Sequence, residues 1–253
     1  MAPTSNAQWP EDLATSILLR LPVKSIIRFK CVSTTWRCFF DNPSFVSRHL
    51  RISKKNQRIL VGYTDEHEHD DKMVLRMFHD TTLATFDDWL PQFKALGVGK
   101  FCLHEGLVCL FGWINFRIGL WNPVTREIRF LPEYYTDIKR RRYSKTIGFG
   151  SDPILNEYKV IFFVENLKAH KTLLLPWLRC AVYKMSTDSW RELKREELEL
   201  VEEKMYINSR NACVNGVCYW VVSEHFSYKV LAFDIRKEVL ELIEWPHLSY
   251  RVL

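Results

Sequence analysis

The sequence predicts an α+β protein, in which an N-terminal helical module is followed by an all-β domain. Two observations support this division. Apolar residues recur at helical spacing in the first fifty positions, and from Ile59 onward short β-type runs alternate with turn residues. We therefore expect a flexible tail over residues 1–8, a helical module over 9–50, a linker over 51–58 and a β domain over 59–253.

Composition limits the classes of function. The 253 residues are 47% hydrophobic, which is ordinary for a globular protein. Lys and Arg (36) exceed Asp and Glu (30) only mildly, so the charge does not favour nucleic acid as a partner. No apolar run reaches the length of a membrane span, and residues 1–9 do not resemble a signal peptide. We expect a protein of the cytoplasm or the nucleus with no membrane partner.

The first helix is marked by its start, its spacing and its end. Pro10 can occupy a first helical position, where its missing N–H is not needed. Leu13, Ile17 and Leu21 recur at intervals of four residues and make one apolar face. Pro22 then ends the helix.

The following helices carry more apolar side chains than so short a module can bury. Ser33 and Asn42 stand where the N-caps of two further helices are expected, and Trp36, Phe39 and Phe40 lie between them. A domain of about forty residues rarely supports a sufficient core alone, so some apolar surface is left over. Such a patch usually marks a protein–protein site, and packing against the rest of the chain is the alternative.

Residues 9–50 resemble an F-box, a small helical fold that docks on the Skp adaptor of cullin-type ubiquitin ligases. The matching residues are Pro10-Glu11-Asp12-Leu13, Ile17-Leu18, Arg20-Leu21-Pro22-Val23-Lys24-Ser25, Arg28-Phe29-Lys30-Cys31-Val32-Ser33, Trp36, Asn42-Pro43, Phe45-Val46 and His49-Leu50. The resemblance implies a docking surface formed or supported by Pro10, Leu13, Ile17, Leu18, Leu21, Pro22, Val23, Ile26, Ile27, Cys31, Val32 and Trp36. Trp9 and Thr34 stand where the family usually has Leu and Lys, and these departures are expected to alter the affinity for the adaptor.

The β domain contains related hairpins. Three of them join an apolar strand to a second strand through a polar turn, with turns at Asn122-Pro123, at residues 186–189 and at Arg236-Lys237. A second type turns at Glu105-Gly106 and Asn215-Gly216, about one hundred and ten residues apart, which suggests weak internal repetition. Four-stranded blades packed radially and a two-layer sandwich both fit this pattern.

This part of the chain resembles the plant F-box-associated domain, including that of the self-incompatibility-type F-box proteins. The matching motifs are Gly106-Leu107-Val108-Cys109, Leu120-Trp121-Asn122-Pro123-Val124-Thr125-Arg126, Leu131-Pro132, Gly148-Phe149-Gly150, Tyr158-Lys159-Val160, Val182-Tyr183, Asp188-Ser189-Trp190, Asn215-Gly216 and Phe233-Asp234. The resemblance implies a propeller-like domain that holds a substrate. Family members generally continue past the position of Glu244-Trp245-Pro246, so an incomplete domain is expected. A truncated product, a shortened isoform and a smaller fold that closes differently are open alternatives.

The two resemblances together imply a non-catalytic substrate-recognition subunit of an SCF-type (Skp–cullin–F-box) E3 ubiquitin ligase. Its partners would be a Skp-type adaptor, through it a cullin, and a protein target of unknown identity. Candidate target contacts are Arg140, Arg141, Arg142 and Tyr143 in a predicted loop. One alternative is a truncated F-box protein that competes for the adaptor without delivering a target. Another is a basic RNA-associated β protein that uses KRRRYSK, residues 139–145.

Catalytic and metal-binding motifs are not supported by the sequence. His67 and His69 alternate with acids in DEHEHDD, but such a polar loop is usually solvated and no cysteine lies close by. Gly97-Val98-Gly99-Lys100 lacks the full spacing of a phosphate-binding loop. We therefore expect that the protein binds no metal and no cofactor, and that it is not an enzyme.

Two pairs of cysteines are predicted to face each other across hairpins. If Asn215-Gly216 is a two-residue turn, Cys213 faces Cys218. The same reasoning at Glu105-Gly106 places Cys102 opposite Cys109. In a reducing compartment we expect free thiols that fill small spaces, and a strained, reducible disulfide is the alternative.

Overall fold

The computed structural model describes residues 11–53, 58–64, 73–79, 85–87, 97–112, 117–134, 143–166, 178–201, 205–224 and 227–245. The four helices and the first three strands form one compact unit, and the later strands form a second. No helix within these ranges is long and apolar enough to cross a membrane.

The first unit begins with four short helices: α1 (Glu11–Leu18), α2 (Val23–Lys30), α3 (Thr34–Asp41) and α4 (Pro43–Ser53). Both predicted caps are confirmed. Ser33 Oγ accepts a hydrogen bond from the Trp36 N–H at 3.2 Å, and Asn42 Oδ1 accepts one from the Ser44 N–H at 2.8 Å. The last turn of α4 lies within the segment predicted as a linker.

The helices share a small core made of Leu19, Ile26, Phe40 and Phe45. The Phe40 and Phe45 rings meet edge to face with centroids 5.1 Å apart. His49 closes the core from α4, because its Nε2 atom lies 2.9 Å from the Leu21 carbonyl oxygen. A three-stranded sheet follows, in the order β1 (Arg58–Thr64), β2 (Met73–His79), β3 (Thr85–Asp87).

The described residues of the second unit form three four-stranded antiparallel sheets, each built from consecutive strands. Sheet I contains β4 (Val98–His104), β5 (Leu107–Gly112), β6 (Ile118–Asn122) and β7 (Glu127–Phe130). Sheet II contains β8 (Tyr143–Ser151), β9 (Tyr158–Asn166), β10 (Leu178–Lys184) and β11 (Ser189–Glu192). Sheet III contains β12 (Met205–Val214), β13 (Val217–Glu224), β14 (Ser227–Asp234) and β15 (Val239–Glu244), and a 3-10 helix (Arg195–Leu198) precedes it.

Sheet II is buried on both faces. Side chains alternate along β9, so Phe162 packs in a core shared with Phe111 of sheet I, while Phe163 packs in a core shared with Trp220 of sheet III. The Phe163 and Trp220 rings meet at 5.1 Å and 87°. Three successive layers exclude the two-layer sandwich and support the propeller-like arrangement. In the part of the chain that the structure describes, the sheets do not close into a barrel, as expected for an incomplete domain.

The predicted turns and cysteine registers are confirmed. Glu105 and Gly106 have φ values of 46° and 82°, and Asn215 and Gly216 have values of 51° and 77°, as a two-residue type I′ turn requires. Cys102 accordingly pairs with Cys109, and Cys213 with Cys218.

Internal repetition is visible in the other hairpin type. Arg126, Asp188 and Glu238 occupy equivalent places, directly before β7 and at the ends of the turns into β11 and β15, and all three have positive φ. Sheets I, II and III therefore each have the same kind of four-residue turn between their third and fourth strands.

Two glycines of β8 allow sheet III to approach closely. A Cβ atom at Gly148 would overlap the Trp220 indole, and one at Gly150 would overlap Cys213 Sγ. Phe149 between them is buried in the core shared with sheet I. The Gly-Phe-Gly motif therefore places a bulky ring on one face of the strand and bare backbone on the other.

Candidate functional site

Helix α1 presents apolar side chains to solvent. Leu13 and Ile17 are each 47% exposed, and their four-residue spacing places them on one face of the helix. Leu19, just past the end of α1, is instead buried in the helical core. The helical module therefore has a buried core, and Leu13 and Ile17 lie outside that core.

A second exposed apolar group lies on α2, on the turn after it and on α3. Ile27, Val32 and Trp36 are exposed, Val32 to 68%. The Trp36 ring is nevertheless held in place, because it stacks on Phe40 at 5.4 Å and contacts Phe29 at 5.9 Å. One side of the Trp36 indole therefore packs on the helical core, and the rest of the ring stays exposed to solvent, where a protein partner could contact it.

The residues expected to form or support a docking surface separate into two groups. The exposed group comprises Leu13, Ile17, Pro22, Ile27, Cys31, Val32 and Trp36. The group that is wholly or partly buried comprises Leu18, Leu21, Val23 and Ile26, of which Ile26 lies in the helical core. Pro10 lies outside the described residues.

Sequence reasoning missed three exposed apolar residues of the module. Val46 and Leu50 lie one turn apart on α4, and Phe29 lies on α2 beside Trp36. The four-residue spacing of Val46 and Leu50 was a usable signal. No such signal existed for Phe29, because its exposure depends on how α2 packs against α3.

Positive charge borders these apolar groups. Arg20, Lys24 and Arg28 are exposed, whereas Lys30 forms an ion pair with Asp41 of α3. A partner with both apolar and acidic surface would complement this combination.

The predicted target contacts fall mostly outside the described residues. This holds for Arg140, Arg141 and Arg142, while Tyr143 is the first residue of β8 and pairs with Asn166. Lys145 is 2% exposed, so the last basic residue of KRRRYSK lies inside the domain. That burial reduces the basic surface available to RNA at this segment.

Metal binding gains no structural support. His67 and His69 lie outside the described residues, and within the described ranges no cluster of three or more His, Cys, Asp or Glu side chains could hold a metal ion.

The turn from β8 to β9 holds two apolar side chains in solvent. Asp152 is fully buried, and its Oδ1 atom accepts hydrogen bonds from the N–H groups of Ile154 at 2.8 Å and Leu155 at 3.1 Å. Ile154 and Leu155 are 62% and 67% exposed. A turn fixed by its own buried carboxylate thus displays a small apolar surface on the β domain.

Comparison with known proteins agrees with both parts of this architecture. A family model described as an F-box domain matches residues 7–48, and one described as an F-box associated beta propeller domain matches residues 90–252. A putative F-box protein of Arabidopsis thaliana is 26% identical over 255 residues, covering 96% of this chain and 60% of the relative. An F-box/kelch-repeat protein of the same plant is 29% identical over 230 residues, covering 83% of this chain and 96% of the relative.

The lengths of the relatives differ. Another putative F-box protein of Arabidopsis thaliana is 29% identical over 245 residues, which cover 94% of this chain and 60% of the relative. This chain therefore spans about three fifths of the length of two of these curated relatives and nearly all of the third.

Proposed function

The chain belongs to the family of F-box proteins that carry an F-box-associated β-propeller domain, and from this premise we propose that it is the substrate-recognition subunit of an SCF-type E3 ubiquitin ligase. In this role the helical module binds a Skp-type adaptor and, through it, a cullin. The β domain binds a protein target. The assembly works in the cytoplasm, the nucleus or both.

One observation carries the adaptor-binding half of the proposal. The helical module completes its own small core with Leu19, Ile26 and Phe40, yet it leaves Ile17 about half exposed and Val32 largely exposed. Exposed apolar side chains held in place by a packed core typically mark a protein–protein interface.

The target-binding half is supported by the β8–β9 turn. Ile154 and Leu155 are exposed although Asp152 fixes the backbone beneath them, so they can contact a target without first being ordered. Arg140, Arg141 and Arg142, which the sequence places in a loop, and Tyr143 are a second proposed contact.

The proposed mechanism is proximity rather than catalysis. A receptor that binds the adaptor through its helical module and a target through its β domain raises the effective concentration of a target lysine near the ubiquitin-loaded enzyme. No side chain of this chain then needs to take part in bond formation.

Reconstitution tests the proposal. The full chain, a plant Skp-type adaptor and a cullin should co-elute in size-exclusion chromatography, and omission of the adaptor should release the cullin. The double variant Ile17→Asp/Val32→Asp should elute alone, because it places charge where the apolar contact is expected. The control Leu155→Asp changes a residue of the β domain that is as exposed as Val32, and it should leave the complex intact.

The same experiment addresses the competing interpretation. A competitor that occupies the adaptor without delivering a target would form the complex with an unfolded β domain. Protection of the buried Cys180 thiol from alkylation within the complex would show that the β domain is folded, and rapid labelling of Cys180 would favour the competitor.

A further inference from the structure

The cysteine pair at the β12–β13 turn has a geometry suited to a covalent bond. Val214 and Val217 close the two-residue turn, so Cys213 and Cys218 form the next, non-hydrogen-bonded pair. Cα atoms in such a pair lie about 4.5 Å apart. Disulfides span Cα distances of about 4.4 to 6.8 Å, so the strands need not move for this bond to form.

A chain of polar groups lies beside Cys213. Tyr158 donates a hydrogen bond to Glu105 Oε2 at 3.2 Å, and Ser151 Oγ donates to the same oxygen at 3.4 Å. His104 Nε2 lies 2.8 Å from Ser151 Oγ. Because Ser151 directs its proton to Glu105, we assign the Nε2–H of His104 as the donor to Ser151. The second ring nitrogen is then available to take a proton.

The pKa values of the two thiols are pushed apart. A hydrogen bond from Cys218 and the neighbouring His104 lower the pKa of Cys213, against burial and the Glu105 charge. The hydrogen bond to Cys213 and burial raise the pKa of Cys218. Interaction with Cys213 in turn raises the pKa of His104. The partly exposed Cys213 is thus the more acidic thiol of the pair, and the buried Cys218 is the less acidic one.

The other cysteine pair of the same turn type also lies within the range of Cα distances that disulfides span, but both of its thiols are buried and neither has a lowered pKa. Cys102 and Cys109 lie one position further from their turn, in a hydrogen-bonded pair with a wider Cα separation of about 5.5 Å. Both are buried, and burial raises the pKa of each. Cys102 instead donates a hydrogen bond to the Ile147 carbonyl oxygen at 3.5 Å. The molecule therefore contains an internal control for the Cys213 pair.

We propose that Cys213 is a peroxide-sensitive thiol, and that oxidation joins it to Cys218 in a reversible disulfide. The Cys213 thiolate attacks one oxygen of a hydroperoxide, so that an S–O bond forms and the O–O bond breaks. The leaving hydroxide or alkoxide takes the proton that the Cys213 thiol gave to the second ring nitrogen of His104 when the thiolate formed. The Cys218 sulfur then attacks the resulting sulfenic acid: the S–S bond forms, the S–O bond breaks, and the departing hydroxide takes the Cys218 proton to leave as water. Each disulfide consumes one peroxide and two thiols.

The position of Cys213 Sγ is part of this site. The absent side chain of Gly150 leaves the space that the sulfur occupies, and the Ile235 side chain borders the same space. The sulfur is thereby held against the backbone of β8 at Gly150, near His104 and opposite Cys218.

The test uses the full chain carrying Cys31→Ser and Cys38→Ser, because these two cysteines of the helical module are exposed and would react independently. The reduced protein is treated with hydrogen peroxide, the remaining thiols are alkylated, and the sites are mapped by mass spectrometry. We expect a Cys213–Cys218 disulfide that dithiothreitol reverses, and alkylation of Cys213 at least about tenfold faster than that of Cys102, Cys109 or Cys180. Unreacted Cys180 reports that the domain stays folded.

Two variants separate the roles of the neighbours. In Cys218→Ser the sulfenic acid on Cys213 cannot be resolved and should be trapped by dimedone. In His104→Gln the alkylation rate of Cys213 should fall several-fold near pH 6.5 and be almost unchanged near pH 9.5, where the thiol ionises without help. A Cys213 that reacts no faster than Cys102 in the folded protein would overturn the proposal. In the protein that retains Cys218, oxidation of Cys213 without formation of a Cys213–Cys218 disulfide would also overturn the proposal.

Discussion

Lys159 Nζ lies 2.8 Å from Glu238 Oε1, and this ion pair joins sheet II to sheet III. Lys159 also donates a hydrogen bond to the Ile235 carbonyl oxygen at 2.8 Å. Lys184 and Arg191 approach the same carboxylate at 2.8 and 2.7 Å. Both Lys159 and Glu238 are buried, so the Glu238 carboxylate is the shared acceptor of three cations at the contact between two sheets. Glu157 Oε2 lies 3.8 Å from the same Lys159 ammonium.

Removal of this carboxylate charge should destabilise the β domain strongly. In Glu238→Gln the buried Lys159 ammonium loses the nearer of its two carboxylates, at 2.8 Å, and keeps only Glu157 at 3.8 Å. Breaking a buried ion pair by removing one partner costs up to about 3 to 5 kcal/mol. We expect a fall of that order in the free energy of unfolding, measured with urea. The control is Glu244→Gln, which breaks a largely exposed pair with Lys229 at 3.5 Å and should cost less than about 1 kcal/mol. Equal effects of the two substitutions would contradict the assignment.

The contribution of Glu238 should disappear in acid. Burial alone would raise the pKa of Glu238, but hydrogen bonds from Lys159, Lys184 and Arg191 outweigh it and lower the pKa from 4.5 to about 2. A folded-state pKa below the unfolded value stabilises the protein above about pH 4.5, and this stability is lost as the pH falls toward 2. The difference in melting temperature between wild type and Glu238→Gln should therefore shrink between about pH 5 and pH 3. A difference independent of pH would show that the lost interaction is not ionic.

Glu165 should have the opposite pH dependence. Burial raises the pKa of Glu165 to about 7, although the Ile207 N–H donates to its Oε1 atom at 2.8 Å and Lys100 lies nearby. The folded state then holds the proton more tightly than the unfolded chain, so stability falls as the pH rises from about 4.5 to 7. Glu165→Gln keeps an oxygen for Ile207 and cannot ionise. Its unfolding free energy relative to wild type should increase from about pH 5 to pH 8, and a decrease would contradict the raised pKa.

Gly148 lies directly against the Trp220 indole, so the stability effects of substitutions at these two positions should not be additive. Gly148→Ala should destabilise the protein by about 1 to 3 kcal/mol, because the new methyl group overlaps the six-membered ring of the Trp220 indole. Trp220→Phe leaves a smaller ring and should cost stability through a cavity. In the double variant the two changes should partly compensate, so its loss in urea unfolding should be smaller than the combined losses of the single variants. Additive losses would show that the two residues do not meet.

The elements that sequence predicted best are those set by local chemistry. Asn215-Gly216 favours a type I′ turn, and that turn alone determines that Cys213 faces Cys218. Ser33 and Asn42 cap their helices with their own side chains. In each case the residues that determine the geometry lie within a few positions of one another.

Other features depend on how distant segments meet. Nothing around Lys159 or around Glu238 indicates that they pair, because they lie in different sheets and meet only when sheet III packs on sheet II. The motif around Phe149 was visible, but the reason for its glycines is the Trp220 indole of another sheet. The division of the docking residues into exposed and buried members likewise depended on helix packing, which placed Ile26 inside and Ile27 outside.

The central claim is that the exposed apolar side chains of the helical module bind a Skp-type adaptor. The most direct test is the dissociation constant of the full chain for a plant Skp-type adaptor, measured by titration calorimetry beside Ile17→Asp, Val32→Asp and the control Leu155→Asp. We predict that each of the first two substitutions weakens binding at least about tenfold, because a charge enters an apolar contact, while melting temperatures and the affinity of the control stay unchanged. Wild-type affinity in both helical variants, with the protein folded, would contradict the account.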